Sequence, residues 1–389
     1  MRWYVLAWGL LALYATTALA ATEGVTTSLF NGKDLSGWHV TRCEAGVENG
    51  SLVLQSGNGF VRTDHKYRDF TLELDWKARK AEMWDSGIYI RSELPGATGR
   101  AWPTKYQVNL AQGMEGNIKD LPDASSTGLV LAGQWNHFRL TVIGKTAALE
   151  INGKPAWKTD AVAVPDGYIG LQSEVPVGGQ FEFRNIRITE LGYHALLGET
   201  LRGTDGYGWE GATADAATCW KLADGVLECT GKAGPWLRSL REYGDFNLRL
   251  EYKLQAGGNS GVFIRVPHDG THREQEPPDN DPSGVEVQLL DDADKRYADI
   301  LPEQFAASIY KVAGAQQHVG HPAGQWNTME IDCHDTTYRI THNGVVVVDV
   351  NAEKVPELAK RQLRGYLGLQ DHREPVWFRN VRIKEDAGR

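Results

Sequence analysis

Glu286 and Gln288 sit two residues apart in the run "VEVQLL". Alternate residues of a strand share a face, so a carboxylate and a carboxamide point into the same groove. Arg265 closes another alternating run, "SGVFIR", and its guanidinium is a fixed cation suited to an anionic oxygen. His372 follows "GLQD" and can exchange a proton near neutral pH. A base, a cation and a proton donor together serve general acid–base chemistry on a substrate that develops negative charge. Each also has a structural reading: Glu286 solvated or paired with Arg265, Arg265 holding the fold, His372 an ordinary loop histidine.

"SGVFIR" from Ser260 repeats "SGIYIR" from Ser86, and six further blocks recur in the same order. "ENGSLVL" matches "ADGVLEC", and "YRDFTLELDWKA" matches "YGDFNLRLEYKL". "GQWNHFRLTV" matches "GQWNTMEIDC", "LEINGKP" matches "ITHNGVV", "GYIGLQ" matches "GYLGLQ", and "FRNIRI" matches "FRNVRI". Two copies of one domain follow, over residues 24–191 and 197–386. Period-two runs such as Phe70, Leu72, Leu74 and Trp76 read as half-buried strands, with Asn-Gly and Asp-Gly turns at Asn152, Asp166, Asp224 and Asn343. The spacing predicts an all-β chain of two antiparallel β-sandwiches, with one helical turn near "PEQFAASIY". Tryptophans 38, 135, 209 and 326 belong to repeated strand-edge motifs and read as core.

The second copy is longer by 5 residues between "SGVFIR" and "VEVQ" and by 12 more before "GQWN". The added segments are "PHDGTHREQEPPDNDPSG" and "DDADKRYADILPEQFAASIYKVAGAQQHVGHPAG", and long loops on a sandwich are where sites concentrate. The second copy is therefore the expected working site.

The chain carries 389 residues, 41% of them apolar and 23% charged, with a net charge of −9. No dense Lys/Arg run is present, so nucleic acid is not an expected partner. Residues 1–20 read as a secretory signal peptide: Arg2 precedes an apolar run that ends in Ala18-Leu19-Ala20. The expectation is an exported protein, periplasmic or extracellular, without a membrane anchor. Cys43, Cys219, Cys229 and Cys333 show no C-x-x-C spacing. Cys219 and Cys229 flank the turn in "CWKLADGVLEC", where a bridge and two free thiols are equally compatible with the spacing.

"LFNGKDLSGW", "GNSGVFIR", "VEVQLLD", "GQWN", "GYLGLQDH" and "VWFRNVRI" together resemble the 3-keto-disaccharide hydrolase family, built on a concanavalin A-like jelly roll. The resemblance covers nearly all of the chain after the leader, twice. It implies two tandem jelly rolls and cleavage of glycosides already oxidised at C3. A C3 ketone makes the C2 hydrogen acidic, and the C1 glycosidic oxygen is then a β leaving group. That chemistry needs a base near C2, a donor for the enolate oxygen and an acid for the departing oxygen.

On this reading Glu286, His372 and Arg265 are the catalytic set, and Asn259, Gln288, Tyr310, Gln370 and Asp291 contact an oxidised glycoside or other carbohydrate. The first copy has Asp85, Gln107, Asn109 and Ser173-Glu174 at the corresponding places, which implies a supporting or sugar-binding role. A divalent ion is a further electrophile to consider, with Asp291, Asp292, Asp294, His372 and Glu286 as donors. The competing reading is a non-catalytic, lectin-like carbohydrate-binding protein. "EID" at Glu330 imitates half of a two-carboxylate glycosidase strand, but His334 stands where the partner carboxylate is required.

Overall fold

The computed structural model describes residues 23–386, apart from 96–98, 122 and 273–282. The expected signal peptide lies outside these residues. The chain forms two β-sandwiches in series, each wrapped around its own apolar core. One core gathers Leu52, Leu72, Trp76, Phe138 and Phe181, and the other Leu248, Val287, Met329, Ile340 and Phe378. All named sheet pairings are antiparallel, as jelly rolls require.

The first copy is bound into one 11-stranded sheet, because the 17-residue strand Ser51–Tyr67 runs through both layers. Leu52–Leu54 of this strand pair with Phe181–Phe183, and its later part pairs with Gly167–Glu174. The second copy separates the layers into sheets of eight and five strands. Its counterpart of the long strand is interrupted between Val226–Cys229 and Leu237–Tyr243. Pro235 lies in the gap, where it lacks an N–H for the ladder.

Asn152, Asp224 and Asn343 take φ values of 53°, 51° and 45°, the left-handed geometry of tight hairpins. The helical turn anticipated near "PEQFAASIY" is a single 3-10 turn over Pro302–Gln304. After it, residues 306–310 lie along the Val285–Leu290 strand and extend the small sheet. Ala307 N–H donates to the Gln288 carbonyl and Tyr310 N–H to the Glu286 carbonyl, both at 2.8 Å.

The copies meet through buried charge. Glu190, 2% exposed, accepts hydrogen bonds from Arg249 and Arg382 of the second copy. Arg249 also donates to the Lys66 carbonyl at 2.7 Å and to Glu330 at 3.1 Å. Glu330 further accepts from Asn247 at 2.7 Å and contacts His65 Nδ1 at 3.1 Å. Despite burial, Arg249 and His65 hold its carboxyl far below the ordinary glutamate range. The carboxylate of "EID" is therefore an interface group. Tyr193 Oη, in the connection between the copies, donates to Asn247 at 2.7 Å. Immediately beyond, His194–Ala195 add to the second copy's Val376–Glu385 strand.

Candidate functional site

The five-stranded sheet of the second copy turns one face to the core and the other to a groove. Val262, Ile264, Val285, Val287 and Leu289 point inward. Gly261 pairs with Gln288 and Phe263 with Glu286, which puts this second set on the opposite face. Glu286 is only 3% exposed there. Gly261 makes room for it: a Cβ at Gly261 would lie 2.1 Å from Glu286 Oε1. Gly368 does the same for the aromatic floor, since its Cβ would meet Phe263 and Trp236 at 2.7 Å. Those two rings pack edge to face with centroids 5.4 Å apart.

His272 covers this floor. Its ring stacks on Phe263 at 4.1 Å, and Nε2 lies 3.2 Å from Glu286 Oε2. Nδ1 is 2.6 Å from the Gly270 carbonyl. A carbonyl only accepts, so Nδ1 carries a proton there. Nε2 is then the ring nitrogen that faces the Glu286 carboxyl.

The surrounding amides extend the polar lining. Gln288 Nε2 donates to Asn259 Oδ1 at 3.2 Å. Gln370 is anchored through its backbone, its N–H donating to the Gly261 carbonyl at 3.0 Å, while its buried Oε1 has no partner among the described residues. Arg238, beside Gly368 in the ladder, lies over Tyr366 at 5.2 Å. It donates to Glu210 at 2.6 Å and to the His268 carbonyl at 2.9 Å, which tethers the loop that carries His272.

The family model of the 3-keto-alpha-glucoside-1,2-lyase-like domain matches this chain twice, over residues 25–189 and 197–384. The chain belongs to this family. A 3-keto-disaccharide hydrolase of Bacteroides thetaiotaomicron is 26% identical over 239 residues, 50% of this chain and 78% of that protein. Among solved structures, a candidate glycosyl hydrolase from Parabacteroides distasonis shares 24% identity, with a TM-score of 0.41, covering 50% of this chain and 99% of its own. A carbohydrate-binding module from Bacillus subtilis shares 16% identity, with a TM-score of 0.31, covering 39% of this chain and 95% of its own. The chain is thus a member of the 3-keto-alpha-glucoside-1,2-lyase-like family in two consecutive all-β copies.

Within this family member, the structure brings Glu286, Gln288, Asn259 and Gln370 together and separates others. Arg265 is a correction. It lies in a bulge between Phe263 and Val266, with φ 51°, and is fully buried. Its guanidinium donates to the Gly244 carbonyl at 2.9 Å, the Asp335 carbonyl at 2.5 Å and Asp245 at 3.0 Å. Arg91 does the same work in the first copy, donating to the Gly144 and Val164 carbonyls and to Asp69. Both arginines close loops.

His372 is also displaced from the expected constellation: it is 44% exposed, with Nδ1 3.9 Å from Glu374, and His272 occupies the place beside Glu286. Tyr310 touches the site through its backbone, while its hydroxyl accepts from Gln304 at 3.2 Å.

Among the described residues, the acidic run does not gather with Glu286 or His372 into a metal-ligand cluster. Asp291 accepts from Gly257 N–H at 2.7 Å, Asp292 from Ala306 N–H at 2.9 Å, and Asp294 caps a 3-10 turn. Among the described residues, the potential ligand group is instead Cys219, Cys229 and Asp371, with donor atoms within 4.8 Å. Both thiols are unbridged, and burial pushes each of them up, toward the protonated form. This set does not fit the hard-ligand ion considered above.

His272, Trp236 and Arg238 were not singled out from sequence. The available signals were the histidines of the longer loop and the glycines at positions 261 and 368 of two alternating strands.

Proposed function

We propose that the second copy cleaves glycosides carrying a ketone at C3, by removing the C2 proton and expelling the C1 oxygen. The Glu286–His272 pair on the groove floor carries this reading. With the proton on His272, Glu286 is a carboxylate that accepts the C2 hydrogen, and the electron pair moves into the C2–C3 bond to form the enolate. Amide N–H groups of Gln288, Asn259 and Gln370 are the nearby donors for sugar oxygens. The enolate then collapses, the C1–O bond breaks, and the His272 imidazolium supplies the proton that the leaving oxygen needs. Water added at C1 of the resulting unsaturated ketone completes net hydrolysis.

The test is release of a chromogenic alcohol from a 3-keto-glucoside, beside its unoxidised parent. The expected result is release from the keto substrate alone. Glu286→Gln should lower it by about 10²–10⁴-fold and His272→Gln should flatten its pH profile. His372→Ala should stay within a few-fold of the parent. Release from the unoxidised glycoside, or full activity in Glu286→Gln, overturns the mechanism.

Export belongs to the same proposal and is supported by the apolar leader that ends at Ala18-Leu19-Ala20. Protein recovered outside the cytoplasm should begin at Ala21, and an intact Met1 in that fraction would refute it.

A further inference from the structure

The first copy keeps the architecture of the groove and changes its lining. Phe60 and Tyr89 meet edge to face at 5.5 Å, as Trp236 and Phe263 do at 5.4 Å. Gly87 and Gly170 repeat the roles of Gly261 and Gly368. A Cβ at Gly87 would lie 2.2 Å from Gln107 Nε2, and one at Gly170 would lie 2.1 Å from the Phe60 ring. Arg62 lies over Tyr168 at 4.4 Å, as Arg238 lies over Tyr366. These glycines let Gln107 and Phe60 pack directly over the strand backbone, as Gly261 and Gly368 do for Glu286, Phe263 and Trp236.

The chemistry on that face is different. Gln107 takes the place of Glu286 in the ladder, opposite Tyr89, and its Nε2 donates to Gln172 Oε1. Gln172 Nε2 donates onward to Glu174 Oε2 at 2.9 Å. A carboxamide is not a base at neutral pH, so this floor lacks the proton acceptor of the second copy. It retains directed donors and acceptors.

The chain of amides ends beside Asp85 and Glu174, both half-buried. Burial raises both carboxyls, and the charge of Asp85 raises Glu174 further. Met83, two residues before Asp85, and Val177, in the short helix Val175–Gly178 that follows Glu174, are 73% and 63% exposed. Lys80 Nζ donates to the carbonyls of both, at 3.1 and 2.7 Å, and so ties the loop to the short helix. A pyranose presents hydroxyls at its edge and C–H groups on its face, and this site offers hydrogen-bonding amides and carboxyls beside exposed apolar side chains.

We propose that the first copy's groove is a second saccharide site that binds a neutral glycoside without cleaving it. Gln107, Gln172, Glu174 and Asp85 take the hydroxyls, and Met83 and Val177 take the C–H face. The inference rests on the carbohydrate reading of the family.

Titration calorimetry on the full mature chain carrying Glu286→Gln, with trehalose and its 3-keto derivative as probes, tests it. The expected result is the loss of one equivalent of bound disaccharide when Gln107→Ala or the isosteric Glu174→Gln is added. The thermal transition, followed on the same samples, reports whether each variant is folded. A stoichiometry that neither substitution changes in folded protein overturns the proposal. Cleavage is read separately with Glu286 intact. A chain that releases no alcohol yet loses an equivalent on Glu174→Gln refutes the cleavage mechanism alone. A chain that cleaves but shows an unchanged stoichiometry refutes the second site alone.

Discussion

His342 is 1% exposed, with Nε2 2.9 Å from the Tyr252 hydroxyl. Burial first, and the nearby His321 second, push its pKa down from 6.5 to about 4. The unfolded chain then binds more protons than the folded one between these values, so stability rises with pH across that window. It is fully present above pH 6.5 and is lost as pH falls toward 4, up to about 3 kcal/mol for a shift of this size. Denaturant midpoints measured at pH 4.5 and pH 7 should differ by more in the parent than in His342→Gln, and equal slopes would exclude the assignment. The same scale shows what could be read in advance. Glu286 and Gln288 were legible because a period of two fixes their common face. His272 was not, because its approach to Glu286 depends on a loop whose path no local rule dictates. Arg265 misled for the opposite reason: its strand was legible, but the bulge that contains it and its φ of 51° turn it toward the Gly244 and Asp335 carbonyls. The recurrence of arginine at position 91, without a matching glutamate, already hinted at that role.

At the scale of elements, alternation and Asx-Gly turns carried most of the information. Phe246, Leu248, Leu250 and Tyr252 are all buried, as their spacing requires. The division of the second copy into two sheets was less accessible, because Val226–Cys229 and Leu237–Tyr243 align with one unbroken strand of the first copy. Pro235 marks the interruption, but a proline alone does not say that Trp236 will reach the groove and pack on Phe263. The long insertion was legible as an insertion. Its use as an added edge, with Tyr310 N–H bound to the Glu286 carbonyl, depends on the main-chain groups that the outer strand leaves unpaired.

For the whole molecule, the decisive contact is Glu190 between Arg249 and Arg382. Removing one member of a buried ionic group leaves uncompensated charge and costs about 3–5 kcal/mol. Glu190→Ala should therefore lower the thermal midpoint and divide one cooperative transition into two, as the copies uncouple. A single unshifted transition in calorimetry would show that the copies are held together by other contacts. Duplicated domains are often treated as interchangeable modules, free to be lost or shuffled. Here each copy has surrendered part of its autonomy. A deletion that removed the first copy would strand Arg249 and Arg382 in a surface shaped for a carboxylate, and Glu330 would lose His65. Such a loss would need several compensating changes at once, so the buried charges make the duplication hard to reverse, independently of what the first copy's own groove does.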